Sequence, residues 1–163
     1  MARLHPTKND ISANRRQAVV DLLQARLSDA LDMSAQTKQA HWNVKGPSFI
    51  ALHELFDKIY TDVATSVDDI AERIVALGGT AKGTIAVTAK QSNLPPYPLD
   101  IADGLAHCQA MATALSSFGK QVRAAIDDAD ELGDKDTADL FTGISRGVDK
   151  NLWFVEAHIQ AKK

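Results

Sequence analysis

The chain has 163 residues, of which 45% are hydrophobic and 24% charged, a composition that fits one globular domain and excludes a fibrous or disordered chain. Its 18 basic and 21 acidic residues give a net charge of −3, so nucleic acid could be contacted only through a local basic patch. Cys108 is the only cysteine, which excludes an internal disulfide and fits a reducing compartment.

Apolar residues spaced three and four apart predict two long helices in the first half of the chain. The first covers about Asn14–Asn43 and follows a short N-terminal tail, residues 1–13. A Gly-Pro pair at 46–47 ends this helix. The second covers about Phe49–Leu77 and stops at the Gly pair 78–79.

A connection of 20 residues, Thr80–Leu99, follows and contains a short apolar element at Ile85–Val87. Connections of this length join two parallel helices in some four-helix bundles. Two further helices are predicted over about Asp100–Leu132 and Thr137–Gln160. The predicted fold is therefore all-α: one four-helix bundle domain, residues 14–163, with a long crossover that carries a short helix.

The second helix carries two pairs of residues that bind metals, His53 with Asp57 and Asp68 with Glu72. Each pair is spaced by four residues and so lies on one face of the helix. No Glu-x-x-His motif occurs in the sequence, which excludes the usual di-iron site inside one bundle. Along a straight helix Asp57 and Glu72 are about 22 Å apart, whereas a metal–ligand bond is only about 2 Å long. One chain therefore cannot bring both pairs to one ion.

Two antiparallel copies of this helix can do so. The residue numbers 53 and 72 have the same sum as 57 and 68, so one two-fold axis places His53 opposite Glu72 and Asp57 opposite Asp68. His41, at the end of the first helix, can complete each site. Two imidazoles and three carboxylates suit Fe(II), Mn(II) or Zn(II).

The segments that carry these residues closely resemble the Dps family of miniferritins (DNA-binding proteins from starved cells). They are KQAHWNVKGP at 38–47, FIALHELFD at 49–57 and DDIAER at 68–73. The segments YPLDI at 97–101 and SRGVDKNLWF at 145–154 are similar to that family too. The resemblance therefore covers nearly all of the chain from Asn14 onward.

The resemblance implies a ferritin-like subunit that assembles, as antiparallel dimers, into a hollow dodecamer. In the family pattern one subunit supplies His41, His53 and Asp57 to each ferroxidase site, and its partner supplies Asp68 and Glu72. Such a protein is an oxidoreductase that oxidises Fe(II), preferably with hydrogen peroxide, stores ferric mineral and protects DNA from oxidative damage. The expected partners are Fe(II), hydrogen peroxide and other copies of the chain, with no organic cofactor.

Supporting roles follow from the same resemblance. Lys38 could pair with a site carboxylate, and Trp42, next to a ligand, is placed to intercept stray oxidising equivalents. An acidic channel that admits iron would lie at the start of the fourth helix, with Asp136 and Asp139 as candidates and Asp134 and Asp149 as further ones. For Asp134, Asp136 and Asp139, stabilisation of the helix N-terminus is an alternative role.

Direct DNA contact is the point at which the sequence departs from the family pattern, because no long Lys-rich tail precedes the first helix. The cations available near the N-terminus are Arg3, Lys8, Arg15 and Arg16. Their repetition over twelve subunits would add weak contacts together. One alternative function is therefore a nucleoid-associated protein that acts mainly by direct DNA contact. Another is a dimer that holds Zn(II) or Mn(II) without oxidising it.

The expected location is the bacterial cytoplasm, at the nucleoid if DNA is bound. The N-terminal residues contain no apolar run of the secretory type. No segment approaches the roughly 18 consecutive apolar residues that a membrane-spanning helix needs.

Overall fold

A computed structural model describes residues 4–160, and its helices are α1 (Ala13–Asn43), α2 (Phe49–Ala76), α3 (Ile85–Gln91), α4 (Gly104–Glu131) and α5 (Lys135–Glu156). Within these residues no β-strand forms, and only an isolated bridge joins Lys45 to Asp103. The helix α1 packs on α2 and α4, while α4 packs on α5. The predicted all-α bundle with a short helix in its crossover is confirmed. No described helix is both long and apolar enough to cross a membrane.

The helix ends differ from the predicted ones because carboxylates determine where two helices begin. The helix α4 begins at Gly104, four residues later than predicted, because the Asp103 carboxylate accepts two backbone N–H groups of the first turn. The helix α5 begins at Lys135, two residues earlier than predicted, because Asp134 caps it. It also ends earlier than predicted, at Glu156.

The crossover is fastened to α1 by buried polar groups, and α3 packs on the same helix. Asp29 is fully buried, pairs with Arg26 at 2.7 Å and accepts the backbone N–H of Asn93 at 2.7 Å. One turn along α1, Asp32 accepts the hydroxyl of Ser92 at 2.5 Å. These contacts hold a long connection in one conformation.

The described part of the predicted N-terminal tail is docked on the bundle. Leu4 and Ile11 are half-buried against the core, and the His5 N–H donates to the Gly78 carbonyl at 2.7 Å. Gly78 has a φ of +85°, which favours glycine. A Cβ at that position would also lie 2.6 Å from the His5 carbonyl oxygen. The turn after α2 therefore requires a glycine in order to receive the N-terminal segment.

Candidate functional site

The two predicted histidine ligands face each other across the turn between α1 and α2. The Nδ1 atom of His41 donates to the His53 carbonyl at 2.8 Å, and the Nδ1 atom of His53 donates to the His41 carbonyl at 2.9 Å. The rings stack with their centroids 3.7 Å apart. Because a carbonyl oxygen can only accept, each neutral ring carries its proton on Nδ1 and keeps a lone pair on Nε2. The fold thus presents both imidazoles in a tautomer that binds metal ions.

The turn that brings these histidines together is short and firmly attached. Gly46 has a φ of +114°, a left-handed conformation that favours glycine. Val44 is buried, and the Lys45 N–H donates to the Ala102 carbonyl at 2.9 Å. The turn is therefore fixed to the segment before α4, and the histidine pair does not depend on a mobile loop.

Asp57 lies one helical turn after His53, and its carboxylate forms an ion pair with Lys38 of α1. The Lys38 ammonium also lies 4.4 Å from the centroid of the Tyr60 ring. The hydrogen bond from Lys38 lowers the pKa of Asp57 below the ordinary value of 3.8, so this carboxyl group is ionised at neutral pH. The Asp57 side chain stays 52% exposed, which leaves it accessible to a cation from solvent.

Asp68 and Glu72 are exposed on the same side of α2, nearer to its other end. The helix is unbroken, so the rise per residue places Asp68 about 22 Å and Glu72 about 28 Å from His53 along the helix axis. Within residues 4–160, no three His, Cys, Asp or Glu side chains come close enough together to hold a metal ion. A single subunit therefore supplies a histidine pair, a nearby carboxylate and two distant carboxylates, not a complete site.

Asp57 and Asp68 lie on one strip along the surface of α2, and an exposed apolar residue stands at each end of this strip. Ile50 is 60% exposed and Val75 is 58% exposed. At 100° per residue, Ile50, Asp57, Asp68 and Val75 project within about 20° of one another around the helix. The strip thus has the same order of residue types, apolar, carboxylate, carboxylate, apolar, when it is followed in either direction.

The acids at the start of α5 fall into two groups. Asp134 is buried and accepts hydrogen bonds from Arg73 at 2.7 and 2.9 Å and from Thr137. Burial by itself raises the pKa of Asp134, but the hydrogen bonds from Thr137 and Arg73 outweigh it and hold the pKa below its ordinary value. Asp134 is thus a helix cap. Asp136 and Asp139 are exposed and remain candidates for a channel.

The expected DNA contacts are not equally available. Arg16 is buried, and its guanidinium donates to the carbonyls of Leu77 and Ile11 at 2.9 and 3.0 Å. The expectation for Arg16 is therefore corrected, because this side chain fastens α1 to the end of α2. Lys8 and Arg15 are exposed, whereas Arg3 lies outside the described residues. Trp42, beside His41, is also largely exposed.

Sequence reasoning missed a hydrogen-bonded pair that joins the crossover to the first turn of α4. The Tyr97 hydroxyl lies 2.8 Å from Nδ1 of His107, which is almost fully buried in the first turn of α4. A histidine on the apolar stripe of a helix was the only signal in the sequence, and it does not identify a partner ten residues away.

Comparison with known proteins now places the fold in a family. The ferritin-like domain family matches residues 20–163. A DNA protection during starvation protein of Agrobacterium fabrum is 46% identical over 160 residues, which cover 98% of this chain and 99% of that protein. The structure of DpsA14 from Streptomyces coelicolor is 35% identical, with a TM-score of 0.92 over 98% of this chain and 96% of its own.

A Dps protein from Vibrio cholerae is 25% identical, with a TM-score of 0.88 over 98% of this chain and 100% of its own. That protein is described as a member of a broad superfamily of ferritin-like diiron-carboxylate proteins. An identity of 46% over almost the full length of both proteins, together with the family match, shows that the chain belongs to the Dps family of ferritin-like proteins.

Proposed function

We propose that the protein is a ferroxidase and iron-storage protein. It oxidises Fe(II), preferably with hydrogen peroxide, at sites shared between two subunits, and it stores ferric mineral inside a hollow dodecamer. The observation that carries the proposal is the His41–His53 pair, which holds two Nε2 lone pairs ready beside a strip of carboxylates. The diiron-carboxylate description of the Vibrio cholerae relative supports iron as the metal. The name of the Agrobacterium fabrum relative supports DNA protection as the outcome. The proposed place of action is the bacterial cytoplasm.

The strip on α2 supports the sharing of each site. An antiparallel pair of α2 helices places His53 opposite Glu72 of the partner subunit and Asp57 opposite Asp68 of the partner subunit. The same pairing places Ile50 opposite Val75 of the partner subunit, so both exposed apolar side chains become buried. Burial of this area favours the dimer by about 25 cal/mol per Å². It also removes water from the site, which strengthens the attraction between carboxylates and Fe(II).

Each residue of the site has a distinct task in this reaction. The histidines and carboxylates bind Fe(II), and the carboxylates favour the ferric product because they are hard, charged oxygen ligands. Two Fe(II) ions each give one electron to one hydrogen peroxide, which yields two hydroxide ions and releases no hydroxyl radical. Lys38 neutralises Asp57 until iron replaces the ammonium. Asp136 and Asp139, exposed at the start of α5, would attract Fe(II) towards the cavity.

Complementation between two inactive variants tests both the ligands and their sharing. One variant carries His41→Ala and His53→Ala, and the other carries Asp68→Asn and Glu72→Gln. Neither should oxidise Fe(II) rapidly by itself. When the two are unfolded together and reassembled, each mixed dimer regains one intact site, so random mixing should restore about a quarter of the wild-type rate.

Asp69→Asn serves as the matched control. Asp69 is the exposed acid next to Asp68, but it lines the groove between α2 and α5 and is not a proposed ligand. It should oxidise Fe(II) at the wild-type rate. A mixed preparation as inactive as its parents would contradict shared sites, and wild-type rates in both parents would contradict the ligand assignment. Light scattering of the native protein tests the dodecamer, and electron microscopy after iron loading tests for a mineral core.

The non-oxidising alternative, a dimer that holds Zn(II) or Mn(II), makes a different prediction. Metal analysis of the purified protein would then find one of these ions at stoichiometric occupancy. Addition of Fe(II) and hydrogen peroxide would produce no mineral. Rapid mineral formation would reject this alternative.

Direct DNA binding is a second candidate function, favoured by the exposed Lys8 and Arg15 and by the name of the Agrobacterium fabrum relative. Attraction to phosphates through these cations would fall steeply with added salt. A gel-shift assay of the assembled protein should therefore show a complex at low salt that is lost in a Lys8→Gln, Arg15→Gln variant. Lys120→Gln, at an exposed position on α4, is the control. No shift at any low salt concentration would reject direct binding.

A further inference from the structure

A groove of about 430 Å³ runs between α2 and α5, on a different side of α2 from the proposed iron ligands. Viewed down the helix axis, Asp62 and Asp69 project within about 20° of each other and about 100–120° away from Asp68. The groove therefore lies outside the strip along which two α2 helices are proposed to pair.

Two glycines form the α5 side of this groove. Gly143 and Gly147 are one turn apart inside α5, where each glycine lowers helix stability relative to alanine. Among the described residues, a Cβ atom at either position would meet no other part of the subunit within 4 Å, so packing inside the subunit does not require glycine. The lack of side chains leaves the helix backbone open to the groove. These two glycines thus form a floor on which a narrow molecule can lie.

The polar groups along the groove are mainly hydrogen-bond acceptors. Three carboxylates line it against one cation, and these residues are Asp62, Asp69 and Asp139 with Arg146. Asn151 is only 2% exposed, and its Nδ2 donates to the Asp62 carboxylate at 3.0 Å. Because a carboxylate only accepts, this bond fixes the amide orientation and leaves Oδ1 as an acceptor, to which no described residue donates. The groove therefore favours a ligand that is positively charged and donates hydrogen bonds.

The spacing of these groups favours an elongated cation over a metal ion. Asp62 and Asp69 are seven residues apart, which is about 10 Å along α2. The helices α2 and α5 run antiparallel, so Asn151 lies at the Asp62 end of the groove and Asp139 towards the other end. The groove thus has two acceptor groups, Asp62 with Asn151 and Asp69 with Asp139. Within residues 4–160, no three metal-binding side chains approach closely enough to hold one ion.

From this arrangement we propose that the groove between α2 and α5 binds a linear polyamine, with one terminal ammonium at each acceptor group. An extended chain advances about 3.3–3.6 Å over three backbone bonds, so the nine bonds between the terminal nitrogens of spermidine span about 10–11 Å. This length matches the separation of the two acceptor groups. The methylene segments lie on the floor formed by the two glycines.

A lysine of the chain itself competes only weakly for this site. The Lys58 ammonium pairs with Asp62 at 2.6 Å, but both side chains are nearly half exposed, and surface pairs of this kind contribute little. A polyamine carries its ammonium groups on one chain, so it engages both ends of the groove at once, whereas Lys58 reaches one end only. The ligand can therefore displace the lysine.

Isothermal titration calorimetry of the assembled, iron-free protein at low salt tests the proposal. Spermidine should bind at one site per subunit, and added salt should weaken the binding. Two diamines of equal charge separate the effect of length from that of charge. Nine bonds again join the nitrogens of 1,8-diaminooctane, whereas the five bonds in 1,4-diaminobutane span only about 6 Å. The longer diamine should therefore bind more tightly.

The double variant Asp62→Asn, Asp69→Asn removes one carboxylate from each end of the groove, and neither residue is a proposed iron ligand. It should weaken spermidine binding about tenfold, as expected for the loss of two solvent-exposed ion pairs. The matched control, Asp127→Asn with Asp128→Asn, removes two exposed charges from α4 and should bind as wild type does. Gly147→Leu covers the floor of the groove and favours the helix, so it should abolish binding at an unchanged native mass.

Several results would overturn the proposal. They are no binding of spermidine, equal affinity for the two diamines, wild-type affinity in the Asp62→Asn, Asp69→Asn variant, and an equal loss of affinity in the α4 control. The last result would show attraction to negative charge in general. The proposal also falls if Gly147→Leu keeps wild-type affinity, or if it no longer assembles because another copy of the chain fills the groove. The test uses no Fe(II), so its outcome is independent of the proposed ferroxidase function.

Discussion

Replacing Asp134 with Asn removes a buried negative charge that holds α2 and α5 together. Asp134 is only 2% exposed, and it accepts two hydrogen bonds from Arg73 and two from Thr137. Breaking a buried ion pair by removing one partner costs about 3–5 kcal/mol. We expect the lower end of that range, because Arg73 is partly exposed to solvent. Its guanidinium also keeps a second acidic neighbour, the Asp136 carboxylate, at 3.9 Å.

A loss of about 3 kcal/mol corresponds to a fall in Tm of about 6–12 °C for a chain of this size. Asp134→Asn and wild type should be compared by thermal unfolding at equal protein concentration, since assembly affects Tm. Asp136→Asn is the control. It removes a charge at the same helix end, but its side chain is 85% exposed, so Tm should move by no more than about 1–2 °C.

The difference in Tm between Asp134→Asn and wild type should become smaller as the pH falls. The pKa of Asp134 is lowered in the folded state, so its stabilising effect is present above the ordinary pKa of 3.8 and is lost as the pH falls through the folded value. The two unfolding curves should therefore converge in acid. Equal Tm values for Asp134→Asn and Asp136→Asn at neutral pH would refute the reasoning, as would a gap that widens in acid.

Three further substitutions test other parts of the structure. Gly78→Ala should lower Tm and destabilise the fold by about 1–3 kcal/mol, because the added Cβ would lie 2.6 Å from the His5 carbonyl oxygen on a backbone with a φ of +85°. An unchanged Tm would show that the N-terminal segment can move aside without loss of stability. Phe118→Ala should destabilise the fold by about 3–5 kcal/mol in denaturant unfolding, because this ring is fully buried, and a loss below about 1 kcal/mol would contradict that packing. The double variant Ile50→Asp, Val75→Asp should reduce the particle mass measured by light scattering while helical circular dichroism persists, and an intact particle would place the dimer contact elsewhere.

The sequence predicted the existence of the long helices more accurately than the positions of their ends. The stripes of apolar residues in α1 and α2 are long and regular, so both helices were located to within one residue at each end. The start of α4 was missed because a single carboxylate, Asp103, decides where the helix begins. The pairing of Arg73 with Asp134 joins residues 61 positions apart, and no local pattern encodes such a contact.

Residue spacing and family resemblance predicted the candidate ligands, whereas the tautomer of the histidines is seen only in the structure. The interval of four residues placed His53 and Asp57 on one helix face, and the distance from Asp57 to Glu72 predicted that a second subunit completes the site. The tautomer of the histidines depends on two carbonyl oxygens that meet only after the turn has folded. The burial of Arg16 likewise depends on a carbonyl at the far end of α2.

The reciprocal hydrogen bonds between His41 and His53 have a consequence for turnover. In metal sites whose ligands are disordered when empty, the ion holds the fold together, and its departure is opposed by the whole free energy of folding. Here the backbone of each histidine already orients the other ring, so the histidine pair keeps its geometry without help from a metal ion. Under the proposed function, a ferric ion would therefore leave for the mineral without unravelling the histidine pair, and the next ferrous ion would meet imidazoles that need no rearrangement.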